Sequence, residues 1–106
     1  MTWHDQHART EILHEVLARA AVDPTAPELL AGLPGSDRLF GGPAGILAAL
    51  RYRWDNHLRA KLDQAQIQGQ SAADAYRELA AQQPELHAIL AAREAGHWQR
   101  EPVLAR

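Results

Sequence analysis

The sequence contains no cysteine. Disulfides, thiolate nucleophiles, iron–sulfur clusters and cysteine-based zinc sites are excluded together. Strand formers are scarce, with one Phe, two Tyr and three Val in 106 residues. No apolar run approaches the ~20 residues that span a bilayer. The opening Met1-Thr2-Trp3-His4-Asp5 has neither the basic nor the apolar region of a secretory signal. A soluble, cytoplasmic protein with no membrane segment is the expectation. An excess of one charge is also lacking: eleven Lys and Arg face thirteen Asp and Glu, for a net charge of −2. That balance argues against nucleic acid as the partner and disfavours a DNA-binding regulator. Only two serines occur, Ser36 and Ser71. Ser71 reads as a helix cap, and Ser36-Asp37 with a distant histidine would make a triad by inventory alone. No paired carboxylates stand out for hydrolysis either, so nothing in the sequence specifies an enzyme or a cofactor.

What is abundant is helix-forming. Ala (21) and Leu (14) make up about a third of the chain. Ten of the eleven Lys and Arg are Arg, Lys61 being the exception. With the alanine excess, that ratio points to a GC-rich, bacterial coding sequence. The length suits one compact domain.

Thr2 and Asp5 form a weak capping box for a helix running to Val22, with Ile12, Leu13, Val16, Leu17 and Ala20 on one face. Asp23-Pro24 stops it. Thr25 and Glu28 form a second capping box and predict a short helix over Ala26 to Ala31, ended by Gly32, Pro34 and Gly35. Ser36 to Gly42 reads as a loop with Leu39-Phe40 tucked inward. Pro43 opens the longest helix, to Gln68, with Leu47, Leu50, Trp54, Leu58, Leu62 and Ala65 on one stripe and Gly69 as its stop. Ser71 and Asp74 cap a helix that turns Ala75, Tyr76, Leu79 and Ala80 inward. Pro84 kinks it or begins another, with Leu86, Ile89 and Leu90 buried. Gly96 reads as the last stop. The expected architecture is all-α, a four- or five-helix bundle with short connections and one long central helix. Residues 1–96 form the domain and 97–106 a C-terminal tail.

Four constellations bear on function. His4, His7, Glu11 and His14 share a face of the first helix and are the candidate metal ligands. That face lies opposite Leu13, Val16 and Ala20, so surface histidines are the simpler account. On the long helix, Arg51, Asp55, Arg59 and Asp63 recur every four residues with alternating sign and predict an ion-pair ladder. On the other flank Arg53, His57 and Lys61 recur without acidic partners, a narrow basic stripe suited to an acidic partner surface or to phosphates. Phe40-Gly41-Gly42-Pro43-Ala44-Gly45 lacks the phosphate-loop lysine and a preceding strand, so it reads as a tight turn that packs closely on a neighbouring helix.

Trp54 is expected in the core. Trp3 and Phe40 are expected as satellite packing on it, although aromatics at a chain end or in a loop also serve partners. Trp98, Val103 and Leu104 give the tail something to bury. The leading expectation is a protein-interaction or regulatory module without catalytic activity. Its contacts would be Arg53, His57, Lys61 and Trp98, and its partner another protein or a second copy in a homodimer. The alternative is a metal-binding bundle using the histidine face.

Overall fold

The computed structural model describes residues 2–104, with side chains described for 2–94. Five helices follow in order: α1 (Trp3–Val22), α2 (Ser36–Phe40), α3 (Pro43–Gln68), α4 (Ala72–Gln82) and α5 (Pro84–Leu104). No strand occurs among the described residues. The all-α expectation with one long helix is met.

The capping chemistry read from the sequence sets two of the starts. Thr2 Oγ1 accepts the Asp5 N–H at 3.1 Å, and Ser71 Oγ accepts that of Asp74 at 3.1 Å. Pro84 opens α5 as a separate helix. Gly69, at φ 73°, closes α3, and the N–H groups of Gly69 and Gln70 both return to the Ala65 carbonyl.

The segment between α1 and α2 departs from expectation. No helix forms over Ala26 to Ala31; the chain makes successive turns instead. Thr25 does not cap Glu28, because its N–H and hydroxyl both go to Asp23 Oδ1, at 3.0 and 2.8 Å. This Asx-type turn takes the group that a capping box needs. Arg19 then takes the carbonyls: its guanidinium donates to the Glu28, Leu29 and Ala31 oxygens at 3.2, 3.4 and 2.7 Å. With its polar groups satisfied this way, the segment buries Leu29, Leu30 and Leu33 in the core.

Ser36 to Phe40, read as a loop, is a short helix framed by Gly35 at φ 83° and Gly41 at φ 78°. Leu39 and Phe40 pack against the core as expected. The glycine turn that follows is as tight as its composition suggested. A Cβ on Gly45 would lie 1.6 Å from the Phe40 carbonyl oxygen, so only glycine lets the first turn of α3 meet the end of α2. Gly96 does not end α5, which continues to Leu104. A single interior glycine weakens a helix by about 0.5–1 kcal/mol rather than breaking it.

The core joins Ile12, Val16 and Ala20 of α1, the three loop leucines, Ile46, Leu50 and Trp54 of α3, Leu79 of α4, and Leu86 and Ile89 of α5. Ile46, outside the expected stripe, is fully buried. Tyr76, expected inside, is 42% exposed. Its ring meets Trp54 edge-on at 5.6 Å, and His87 lies 5.5 Å from Trp54 and 5.8 Å from Tyr76. Tyr76 Oη and His87 Nε2 are 3.2 Å apart, within hydrogen-bonding distance. These three rings bind α3, α4 and α5 together around Trp54, itself 4% exposed. Helix α3 packs on α2, α4 and α5, whereas α1 packs on α2 and α5 and scarcely touches α3.

Two substitutions test this packing. Trp54→Ala removes a buried aromatic and the ring partner of two others, so denaturant unfolding should show a loss of about 3–5 kcal/mol. Gly45→Ala should cost toward the upper end of roughly 1–3 kcal/mol, the range for forcing atoms into a filled site. Unchanged midpoints would contradict the register of α3 in the first case and the α2–α3 contact in the second.

Candidate functional site

The space between α1 and α3 is a trough of about 730 Å³, walled on the α1 side by Gln6, Arg9, Thr10 and Leu13 and floored at one end by Leu39 and Phe40. Arg9 is fixed there: its guanidinium donates to the Leu39 carbonyl at 2.6 Å and lies 4.3 Å from the Phe40 ring centroid. Helix α3 supplies the opposite wall, from Gly45 through Tyr52 and Arg53 to Asn56 and His57. A separate hollow of about 370 Å³ borders Asn56 and His57 and lies between α3 and α4, lined further by Ala60, Lys61, Gln64, Leu79 and Gln82. Neither cavity is lined by an Asp or Glu.

The structure divides the basic stripe. Arg53 and His57 are half-buried trough residues. None of the ion pairs among the described residues involves either. Lys61 does have an acidic partner, contrary to the sequence reading. Glu78 of α4 lies 2.9 Å from Lys61 Nζ and also accepts from the Gln70 side chain. The spacing along α3 could not show this, because the carboxylate comes from another helix. Trp98, the fourth expected contact residue, lies outside the described side chains, as do Val103 and Leu104.

The predicted ladder on α3 does not form. Arg51 reaches across to Glu94 of α5, 3.3 Å away. No ion pair among the described residues joins Arg51, Asp55, Arg59 and Asp63 to one another. Such pairs on an exposed face are worth only a few tenths of a kcal/mol, so a partner on a packed neighbouring helix easily wins.

On α1, His4, His7, Glu11 and His14 are all exposed. His7 Nε2 lies 3.3 Å from Glu11 Oε1, and the Trp3 ring stacks on His7 with centroids 5.6 Å apart. His4, His7 and Glu11 border a shallow groove of about 410 Å³ against Leu33 and Pro34, but His14 lies away from it. Among the described residues, no three His, Asp or Glu side chains are grouped so that they could hold a metal ion. Trp3, 78% exposed, does not pack on the core as expected; it covers a histidine of its own helix instead.

Around the glycine turn the Gly41 and Gly42 amides donate to the Asp37 and Ser36 carbonyls, and those of Gly45 and Ile46 to Gly42, so these four donors are already committed. No helix among the described residues is long and apolar enough to cross a membrane.

With this geometry in hand, comparison with protein-family models, curated proteins and solved structures returns no match. The trough itself is the guide to function. Sequence reasoning found its basic edge but missed Arg9, Tyr52 and Asn56. The signal was present: on α3, Tyr52 and Asn56 lie at i+4 spacing on the row beside Arg53 and His57.

Two carboxylates carry measurable marks of their surroundings. Glu78 is held below the usual 4.5, first by the hydrogen bond from Lys61 and then by that from Gln70. Asp5 is held below 3.8, chiefly by the hydrogen bond from Arg38 that ties α1 to α2. A carboxyl group depressed on folding contributes stability above its unfolded value, and that contribution fades as pH falls through the folded one. In an NMR titration Glu78 should therefore titrate below 4.5, and Lys61→Met should move its midpoint upward. An unmoved midpoint would mean that Lys61 and Glu78 do not pair in solution.

Proposed function

We propose that this chain is a cytoplasmic, bacterial, non-catalytic protein-interaction module that engages its partner through the trough between α1 and α3. The observation that carries this reading is the composition of the trough wall. It combines apolar ground at Leu13, Leu39 and Phe40, the 70% exposed Tyr52, and Arg53 beside His57 without an opposing carboxylate. An exposed tyrosine beside an arginine, over partly buried apolar side chains, is a common make-up for an energetic centre of a protein interface. The module would act in regulation by occupancy, through binding alone.

Self-association is a second reading, supported by the large exposed face of Trp3 on α1. In that homodimer, two copies of α1 would cover each other's indoles across a two-fold axis.

Site-specific photo-cross-linking in the source cells separates the two. A benzophenone amino acid in place of Tyr52 should yield a protein adduct larger than twice the chain or of unrelated mass, whereas the same group at the exposed Asp63 should not. Arg53→Glu should abolish the adduct. Equal labelling from both positions, or an adduct only with a second copy of the chain, would reject the trough as the contact with another protein.

A further inference from the structure

The trough follows α3 from Gly45 to His57, over which the helix advances about 18 Å at 1.5 Å per residue. A compact small molecule leaves part of that length empty, while a polypeptide segment of about three helical turns spans it. Ala48 and Ala49 keep the wall low, so another backbone can approach closely.

The backbone chemistry decides the conformation of the occupant. The main-chain donors and acceptors of α1 and α3 are committed within their own helices along this wall. No sheet edge is present among the described residues to pair with an extended peptide. An extended segment pressed onto Leu13, Leu39 and Phe40 would leave its own amides without partners, which is costly away from water. A helix satisfies its amides internally and presents only side chains.

The charge decides its composition. Arg9 and Arg53 line the trough and no Asp or Glu does. In the neighbouring hollow Glu78 already neutralises Lys61. Unmatched positive charge therefore lies in the trough, which also holds the apolar floor.

We propose that the trough receives a single amphipathic helix of a partner protein, apolar on the side facing Leu13, Leu39 and Phe40, with acidic residues flanking that stripe opposite Arg53 and His57. This inference rests on the interaction-module reading and gives the partner its chemical class.

The test uses the whole chain and a defined probe. The probe is a phage-displayed library of 20-residue helical peptides with Leu fixed at i, i+3, i+4 and i+7 and the other positions drawn from Glu, Lys, Gln and Ala. Selection should enrich Glu over Lys beside the Leu stripe. The selected peptide should bind the double variant Arg53→Glu, His57→Glu at least tenfold more weakly, with the variant's helicity and thermal midpoint unchanged. A Lys-flanked counterpart should regain affinity for that variant. Its NMR footprint should fall on the Asn56 side-chain amide and the Ala48 and Ala49 methyl groups.

Enrichment of Lys, selection of nothing, or a footprint on α1's Trp3 face would overturn the proposal. So would concentration-dependent shifts of the trough residues without peptide, which would assign the trough to a second copy. If selection fails while the Tyr52 cross-link to a protein persists, the helix is wrong and the module stands. If selection succeeds without any cellular cross-link, the helix chemistry holds and the module reading falls.

Discussion

A loop that carries three leucines into a protein interior must find partners for its carbonyl groups, and here a single guanidinium provides them. Arg19, steadied by Glu15 at 3.1 Å, donates to three carbonyls of the turn segment. No other side-chain type offers five donors in a planar fork at a fixed charge. Because Arg19 holds these turns, Leu29, Leu30 and Leu33 cap the core where a helix would otherwise have to. Two further arginines fasten the other end of α1 to α2: Arg9 onto the Leu39 carbonyl at 2.6 Å, and Arg38 onto Asp5 at 3.0 Å. Helix α1 is thus secured by the turn segment, α2 and α5. Its direct contacts with α3 are few, and the space between them stays open as the trough.

The same arginine-rich composition sorts the cations into occupied and available ones. Arg9, Arg19 and Arg38 are tied to carbonyls or carboxylates near α2 and the turn segment, Arg51 to Glu94, and Lys61 to Glu78. Arg53 stands between these pairs with no ion-pair partner among the described residues. A near-neutral chain can therefore present an uncompensated guanidinium in its trough, which the net charge of −2 conceals.

Helix starts and stops were legible because they are local. Thr2 with Asp5, Ser71 with Asp74, Pro43 and Gly69 each act within one turn of the chain. The core stripe of α3 was legible for a similar reason, as a period of 3.6 residues is set by one helix alone. What escaped reading depended on partners distant in sequence. The capping box at Thr25 failed because Asp23 competed for its groups and Arg19 drew off the carbonyls. The ladder on α3 lost Arg51 to Glu94 of α5, and Lys61, read as lacking an acidic partner, met Glu78 of α4; both carboxylates lie on other helices. Tyr76 sits where an inward residue belongs, but its hydroxyl finds His87 only at the surface. Of the candidate site, the row Arg53, His57 and Lys61 was readable as spacing. The opposite wall was not, since nothing in α3 announces that α1 will stand away from it.

The position of Trp54 beside Arg53 joins stability to recognition. Trp54 is held by Tyr76 and His87 and by the core beneath it, so the middle of the 26-residue α3 is anchored from one side. The next residue toward the N-terminus projects into the trough. A charge carried by a helix pinned in this way is presented at a fixed place, and little side-chain or backbone freedom is left to lose when a partner arrives. Catalysis would require reactive groups converging on one point in a closed space. Here Arg53, Asn56 and His57 are strung along one helix and open to one side, the geometry on which the proposed recognition role rests.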